Sequence, residues 1–320
     1  MRQFYLRIRV VAMTLMLMAA LPLAAQQTYW DGTASQDWTG TGSEADPYII
    51  TTPQQLAGLA EAVNGGRDFR GEYIKLGADL YMCDPDAEQD ARPQWTPIGG
   101  VNVADETGNG GGYAHDTLRF CGTFDGDGHT VYNVYHSTLP DLSDWDDPFG
   151  SGVIDVSGWY RGFFGWIEEA TVKNLHLANV NIVGAATVGG LVMVSKNSTI
   201  TGCSVSGVVG SLNDEVGGAS GGLVANNQGG TIENCTSSAN VKGIRGVGCL
   251  VGQNSGTIRG CHSTGDAHTV QYHVGGLVGS NLEGGLIERC SSAGKVSRDI
   301  FSTSIEDCGG FVGLNVGTIR

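Results

Sequence analysis

Charged residues are scarce in this chain, only 16% of 320 positions, against the roughly 25% of an ordinary soluble protein. Basic residues are scarcer still, 18 against 33 acidic ones. Three of the 18, Arg2, Arg7 and Arg9, precede the apolar run Val10 to Leu23, and Ala24-Ala25 then Gln26-Gln27 offers a small-residue cleavage site. Residues 1–25 therefore read as a secretory signal peptide. Removing it leaves 15 basic against 33 acidic residues and a net charge of −18. Such a surface repels nucleic-acid phosphates and anionic lipid heads. No second long apolar run follows, so no membrane span is expected in the mature protein. Gln26 rather than Cys follows the cut, which argues against a lipoprotein anchor. Catalytic signatures are missing too: there is no HExxH and no CxxC. Beyond one short stretch near the N-terminus, the apolar residues lack the 3.6-residue period of a helix.

Glycine is abundant, at 51 residues. Many glycines between short apolar runs mean tight turns between short strands. The second half is self-similar: Gly189-Gly190-Leu191-Val192, Gly221-Gly222-Leu223-Val224, Gly248-Cys249-Leu250-Val251, Gly275-Gly276-Leu277-Val278 and Gly309-Gly310-Phe311-Val312. The leucine-equivalent positions are spaced 32, 27, 27 and 34 residues apart, and Arg161-Gly162-Phe163-Phe164-Gly165 is a divergent earlier copy. Four residues after the Leu stands Asn227, Asn254, Asn281 or Asn315, with Ser195 and Ile167 in the earlier copies. Farther on come Ile200, Ile232, Ile258, Ile287 and Ile319, and three residues after the first four of these come Cys203, Cys235, Cys261 and Cys290.

One copy cannot bury its own apolar face, but stacked copies can, each strand pairing with its equivalent about 4.8 Å away. The two longer copies then carry loops bulging from a coil. An Ile and a Cys three apart face opposite sides of a straight strand, so the backbone must bend between them for both to point inward. These features predict an all-β fold, a right-handed parallel β-helix (solenoid). Thr52-Pro53-Gln54-Gln55, followed by Leu56, Leu59, Ala60 and Val63 on one face and stopped by Asn64-Gly65-Gly66, predicts a short N-terminal capping helix.

The pattern Gly-Leu-Val-Gly-x-Asn-x-Gly-x-Ile-x-x-Cys, followed by Leu250 to Cys261 and, with two extra residues, by Gly276 to Cys290, closely resembles the GLUG motif of bacterial surface proteins. The resemblance spans Arg161 to Arg320. The stretches from Asp46-Pro47-Tyr48 through Trp95-Thr96-Pro97 to Gly122-Thr123-Phe124 resemble the leader that often precedes such repeats. The resemblance implies a β-helical surface module, sometimes attached to metallopeptidases that cleave immunoglobulin A, and no single activity. Three regions result: 1–25 the signal peptide, 26–160 the N-terminal cap and first coils, and 161–320 the repeats. The last copy stops two residues short of its Cys slot, so the polypeptide is expected to continue past Arg320 into a longer protein.

Cys203, Cys235, Cys261 and Cys290, sharing one slot with Leu175, are expected to form a buried ladder of free thiols, with disulfide pairing the alternative. Asn227, Asn254, Asn281 and Asn315 are expected to form a second structural ladder of stacked amides. His262, His268 and His273 read as an exposed turn, and Asp125-Gly126-Asp127-Gly128 as a β-turn rather than a calcium loop. Asp141, Asp144, Asp146 and Asp147 could hold a metal ion, calcium first, against the plain reading of a solvated acidic loop. Trp145, Trp159 and Trp166 flank them and could stack on a sugar, against the plain reading of packing near the cap. No catalytic residue and no cofactor is assigned. The expected function is an exported cell-surface binding, adhesion or display module that is not itself an enzyme, with an extracellular glycan or a host or surface protein as partner. The alternatives are the non-catalytic front of a larger secreted metallopeptidase and a carbohydrate-active β-helix enzyme.

Overall fold

The structure is a computed structural model and describes residues 27–101, 117–137, 160–211, 218–299 and 307–320. The signal-peptide reading of residues 1–25 lies outside them. Strand makes up about 51% and helix about 6%, and the backbone winds through about eight turns of a β-solenoid with parallel sheets. Among the described residues, only Gly100–Val101 and Thr117–Leu118 pair antiparallel as named strands.

Each full coil of the repeats contributes one strand to each of two sheets and at least two strands to a third. The first sheet has nine strands, starting at Tyr48–Ile50 and Tyr73–Leu76 and ending at Thr318–Ile319. Its inward row stacks Ile74, Phe124, Val172, Ile200, Ile232, Ile258, Ile287 and Ile319 in register. Phe124 through Ile287 are fully buried, and the burial of each is worth on the order of 1.5 to 3 kcal/mol. The row crosses residue 160 without a break, so the N-terminal region and the repeats share one sheet. Outward, Thr123, Thr171, Thr199, Thr231 and Thr257 stack in register. Beside them runs a row of alternating charge in which Asp125 meets Lys173 at 3.1 Å and Arg259 bridges Glu233 and Glu288.

The residue before each slot cysteine makes the corner. Asn174, Gly202, Asn234, Gly260 and Arg289 all have φ between 52° and 63°, the left-handed region. One left-handed residue turns the backbone so that Ile232 and Cys235 both point inward, which accounts for their spacing of three. Asn and Gly tolerate that conformation best.

The second sheet stacks Phe164, Val192, Val224, Val251, Val278 and Val312, and beside them Ile167, Ser195, Asn227, Asn254, Asn281 and Asn315. The glycine at the sharp turn into this sheet is obligatory. A Cβ on Gly221 would stand 1.9 Å from the Val224 carbonyl oxygen, and one on Gly248 would stand 2.1 Å from that of Val251. The third sheet, of fifteen strands, holds the longest segments, among them Ser204–Ser211, Asn240–Gly248 and Ala267–Gly275.

Helix α1 spans Pro53–Asn64, directly after the first strand. The Thr52 hydroxyl accepts from the Gln55 N–H, and the Gln55 side-chain oxygen accepts from the Thr51 N–H. Leu56, Leu59, Ala60 and Val63 are buried. Under the helix the first coils are plugged by aromatic rings: Trp30 on Trp95, Trp38 on Phe69, and Trp95 stacked on Phe163 at 5.3 Å. The Trp38 and Trp95 indole N–H groups donate to the Gln55 and Phe163 carbonyls. These three tryptophans close the end of the stack.

Candidate functional site

The third sheet presents the surface best suited to contact a ligand, because its outward rows are polar and continue from coil to coil. His176, Ser204, Thr236, His262 and Ser291 stand in one register row. Two residues farther along, Ser206, Ser238 and Thr264 form a second rank, and a shallow concavity lies between the two. These positions fall one and three residues after the slot cysteine, a regularity visible in the sequence once the cysteines are aligned. Two contacts tie neighbouring coils together, His176 Nδ1 to Ser204 Oγ at 2.8 Å and His262 Nδ1 to Ser291 Oγ at 2.8 Å. The trough offers hydroxyl donors and acceptors at the strand spacing and carries no fixed charge.

Farther along the same strands the face becomes cationic. Lys242, His268 and Ser297 share a row, and Arg245 lies in register with Tyr272 beyond a β-bulge. There two residues, Val270 and Gln271, oppose Ile244. His268 therefore lies within a strand, part-buried, and so does His273, rather than in the exposed turn expected from sequence. His268 Nδ1 meets Ser297 Oγ at 3.0 Å and its Nε2 meets Asp299 at 3.2 Å. These are the residue types of an acyl-transfer set. The Asp299 side chain, however, is 46% exposed, whereas a carboxylate that orients a general base is held dry.

This flank also carries the length variation of the repeats. The residues added in the longer copies fall at 212–217 and 300–306, and the 138–159 stretch follows Ser137. Ser137 is in register with Val183, Val183 with Gly210, Gly210 with Lys242, and Lys242 with His268. The described residues that precede these stretches, Ser137, Ser211 and Asp299, thus lie on or within two residues of one register row.

The two ladders lie inside the coil. Asn227 donates to Asn254 Oδ1 at 2.8 Å, Asn254 to Asn281 at 2.9 Å, and Asn281 to Asn315 at 2.8 Å. Their backbones are extended strand, so the left-handed asparagines are a separate set, at the corners. The cysteine slot is not wholly apolar. The N–H groups of Cys203, Cys235 and Cys261 donate to the sulfurs of Cys235, Cys261 and Cys290 at 3.3–3.4 Å, and those sulfurs in turn meet the carbonyls of Glu233, Arg259 and Glu288 at 3.2 Å. All eight cysteines are free thiols. Hydrogen bonding to Cys235, together with burial, pushes the Cys261 thiol up to about 12, and burial pushes Cys249 to about 12.

Asp125 ends the strand Thr123–Asp125 and Asp127 sits in the turn after it, and they pair with Lys173 and Lys75. Trp166 is part-buried on a second-sheet strand, with its indole nitrogen buried and unpaired. Asp141, Asp144, Asp146, Asp147, Trp145 and Trp159 lie outside the described residues. Among the described residues no three of His, Cys, Asp or Glu are grouped to hold a metal ion, and no helix is long and apolar enough to cross a membrane.

A stack of parallel coils with internal Asn and Cys ladders defines a repeat-built β-solenoid. The chain carries GLUG repeats: the family model of the GLUG motif matches residues 216–242 and 270–297. It is 29% identical to Halomucin of Haloquadratum walsbyi over 197 residues, which is 60% of this chain but only 2% of Halomucin's length. Its fold is similar to the crystal structure of a candidate immunoglobulin A1 protease from Bacteroides ovatus, with a TM-score of 0.52 and 18% identity over 88% of this chain and 86% of that one.

Proposed function

We propose that this protein is an exported, cell-surface binding and display module with no catalytic activity of its own, and that the third sheet is its binding face. The observation that carries this reading is the stacking of polar rows on the third sheet, the sheet that also holds Ser137 and Ser211, the described residues at which two of the length differences begin. In repeat proteins, insertions that vary between copies gather on the face that meets partners. The remaining residues of each coil are occupied in holding it to the next. The negative charge and the sequence of residues 1–25 support export. The match to a small fraction of Halomucin supports a modular role within longer proteins. The test is direct. Labelled protein should bind intact cells or an extracellular glycan panel. Replacing the trough residues Ser206, Ser238 and Thr264 together by Glu should reduce that binding without lowering the melting temperature. Binding unchanged by a charged trough, with the fold intact, overturns the assignment of this face.

A further inference from the structure

We infer that Arg245, set on Tyr272 at the bulge of the third sheet, is a carboxylate-binding fork that recognises acidic polysaccharides. This inference rests on the binding reading above and names its ligand class. The Arg245 guanidinium carbon lies 5.2 Å from the centre of the Tyr272 ring, so the ring faces the guanidinium. Its Nε–H donates to Gln271 Oε1 at 3.3 Å. The two terminal nitrogens remain, and among the described residues no carboxylate approaches Arg245 within ion-pair distance. A guanidinium held by ring and amide, with its terminal N–H pair uncommitted, is shaped for bidentate contact with a planar carboxylate. Holding it in advance removes part of the ordering cost of binding.

The bulge makes this placement. With Val270 and Gln271 opposing Ile244, the register shifts, so that Arg245 pairs with Tyr272. Bulges re-aim side chains in this way. Gly246 and His273, the next residues on the two strands, both adopt left-handed conformation, with φ of 56° and 50°, and the strands then return to the common register at Val247 and Val274. A local distortion is therefore confined to the few residues that present the fork.

The surroundings favour an anion against the charge of the whole protein. Lys242 is three residues before Arg245, His268 lies beside Lys242 in the next coil, and Arg298 follows in the coil after, in register with Thr269. Asp299, on His268, and Asp307, on His273, are the carboxylates paired on this flank. On a protein of net charge −15, the described residues of this flank set three basic side chains, Lys242, Arg245 and Arg298, against Asp299 and Asp307, a local balance in favour of positive charge. Anions are drawn to such a patch and away from the rest of the surface. A uronate-type polymer supplies carboxylates to the fork and hydroxyl groups to the neighbouring Ser and Thr rows.

The experiment measures binding of the full-length protein to polygalacturonate, to neutral dextran and to dextran sulfate by affinity electrophoresis and calorimetry. The expected result is binding to polygalacturonate and none to dextran. Arg245→Lys keeps the charge but loses the fork, and should weaken polygalacturonate binding at least about tenfold with an unchanged melting temperature. Tyr272→Leu should weaken it in the same direction. Equal affinity of wild type and Arg245→Lys overturns the fork, as does binding to dextran sulfate alone. If a neutral glycan or a protein binds and the trough variants abolish it while Arg245→Lys does not, the fork fails and the binding face stands. If trough and Arg245 variants both leave all binding untouched, both readings fail.

Discussion

Asn254 donates to Asn281 Oδ1 across 2.9 Å while its own Oδ1 receives the Asn227 amide at 2.8 Å. It stands in the middle of a one-way series of side-chain amides. Its second N–H donates to the Gly256 carbonyl, and its oxygen also accepts the Gly256 N–H. The series begins badly: Asn227 Oδ1 and the in-register Ser195 Oγ are both buried without a partner. Asn254→Ala should therefore cost about 2 to 4 kcal/mol, because it strands an amide above and an oxygen below. Ser195→Ala removes a hydroxyl that satisfies nothing, and should change stability by less than about 1 kcal/mol. Urea unfolding of the two variants checks the contrast; equal losses would remove the ladder's role.

The thiols should separate by coil. Cys308 is exposed and Cys290 part-buried, whereas the other six are buried. Native protein treated with an aromatic disulfide reagent should release one equivalent fast and a second slowly, with the remaining six appearing only on unfolding. More than two accessible thiols in the folded state would contradict the ladder. Because the Cys235 sulfur accepts the Cys203 amide N–H, Cys235→Ala should destabilise more than Cys235→Ser, by about 1 kcal/mol.

A pH effect should come from His136. Its ring is buried, Nδ1 donates to the Trp95 carbonyl at 2.8 Å, and Nε2 has no partner. Burial first, and then the nearby Arg161 charge, lower its pKa from 6.5 to about 4. The folded state resists the proton that the unfolded state accepts near 6.5, so this stability is complete above pH 6.5 and is lost as pH falls toward 4. The loss should reach about 3 kcal/mol. The difference in urea midpoint between pH 7.5 and 4.5 should shrink in His136→Gln by that contribution; an identical pH dependence in the variant would refute it.

The turn glycine offers a test of geometry. With the Val224 carbonyl 1.9 Å from its would-be Cβ, Gly221→Ala must shift backbone and should cost more than about 3 kcal/mol, as overpacking of a rigid site does. Gly100, which meets nothing within 4 Å, should accept Ala within about 1 kcal/mol. Thermal melts of both variants decide it.

The sequence by itself determined the architecture. Repeated Gly-Gly-Leu-Val, the Asn four residues on and the Ile–Cys spacing of three allow only a stack of bent coils, since no single copy buries its own apolar face. The capping helix was legible for a local reason, as Thr52, Pro53 and Gln55 act within one turn. Tertiary structure decided what depends on distance between coils. That the Cys203 amide needs the Cys235 sulfur as acceptor follows from the corner, where the backbone ladder loses its regular partner. That His268 and His273 lie in a strand rather than a turn follows from pairing with Asn240–Gly248, which outweighs weak local preferences. Arg245 and Tyr272 are 27 residues apart and ordinary in composition. They meet because a one-residue bulge shifts the register between neighbouring coils, and nothing along the sequence records which residue will stand beneath which until the strands pair.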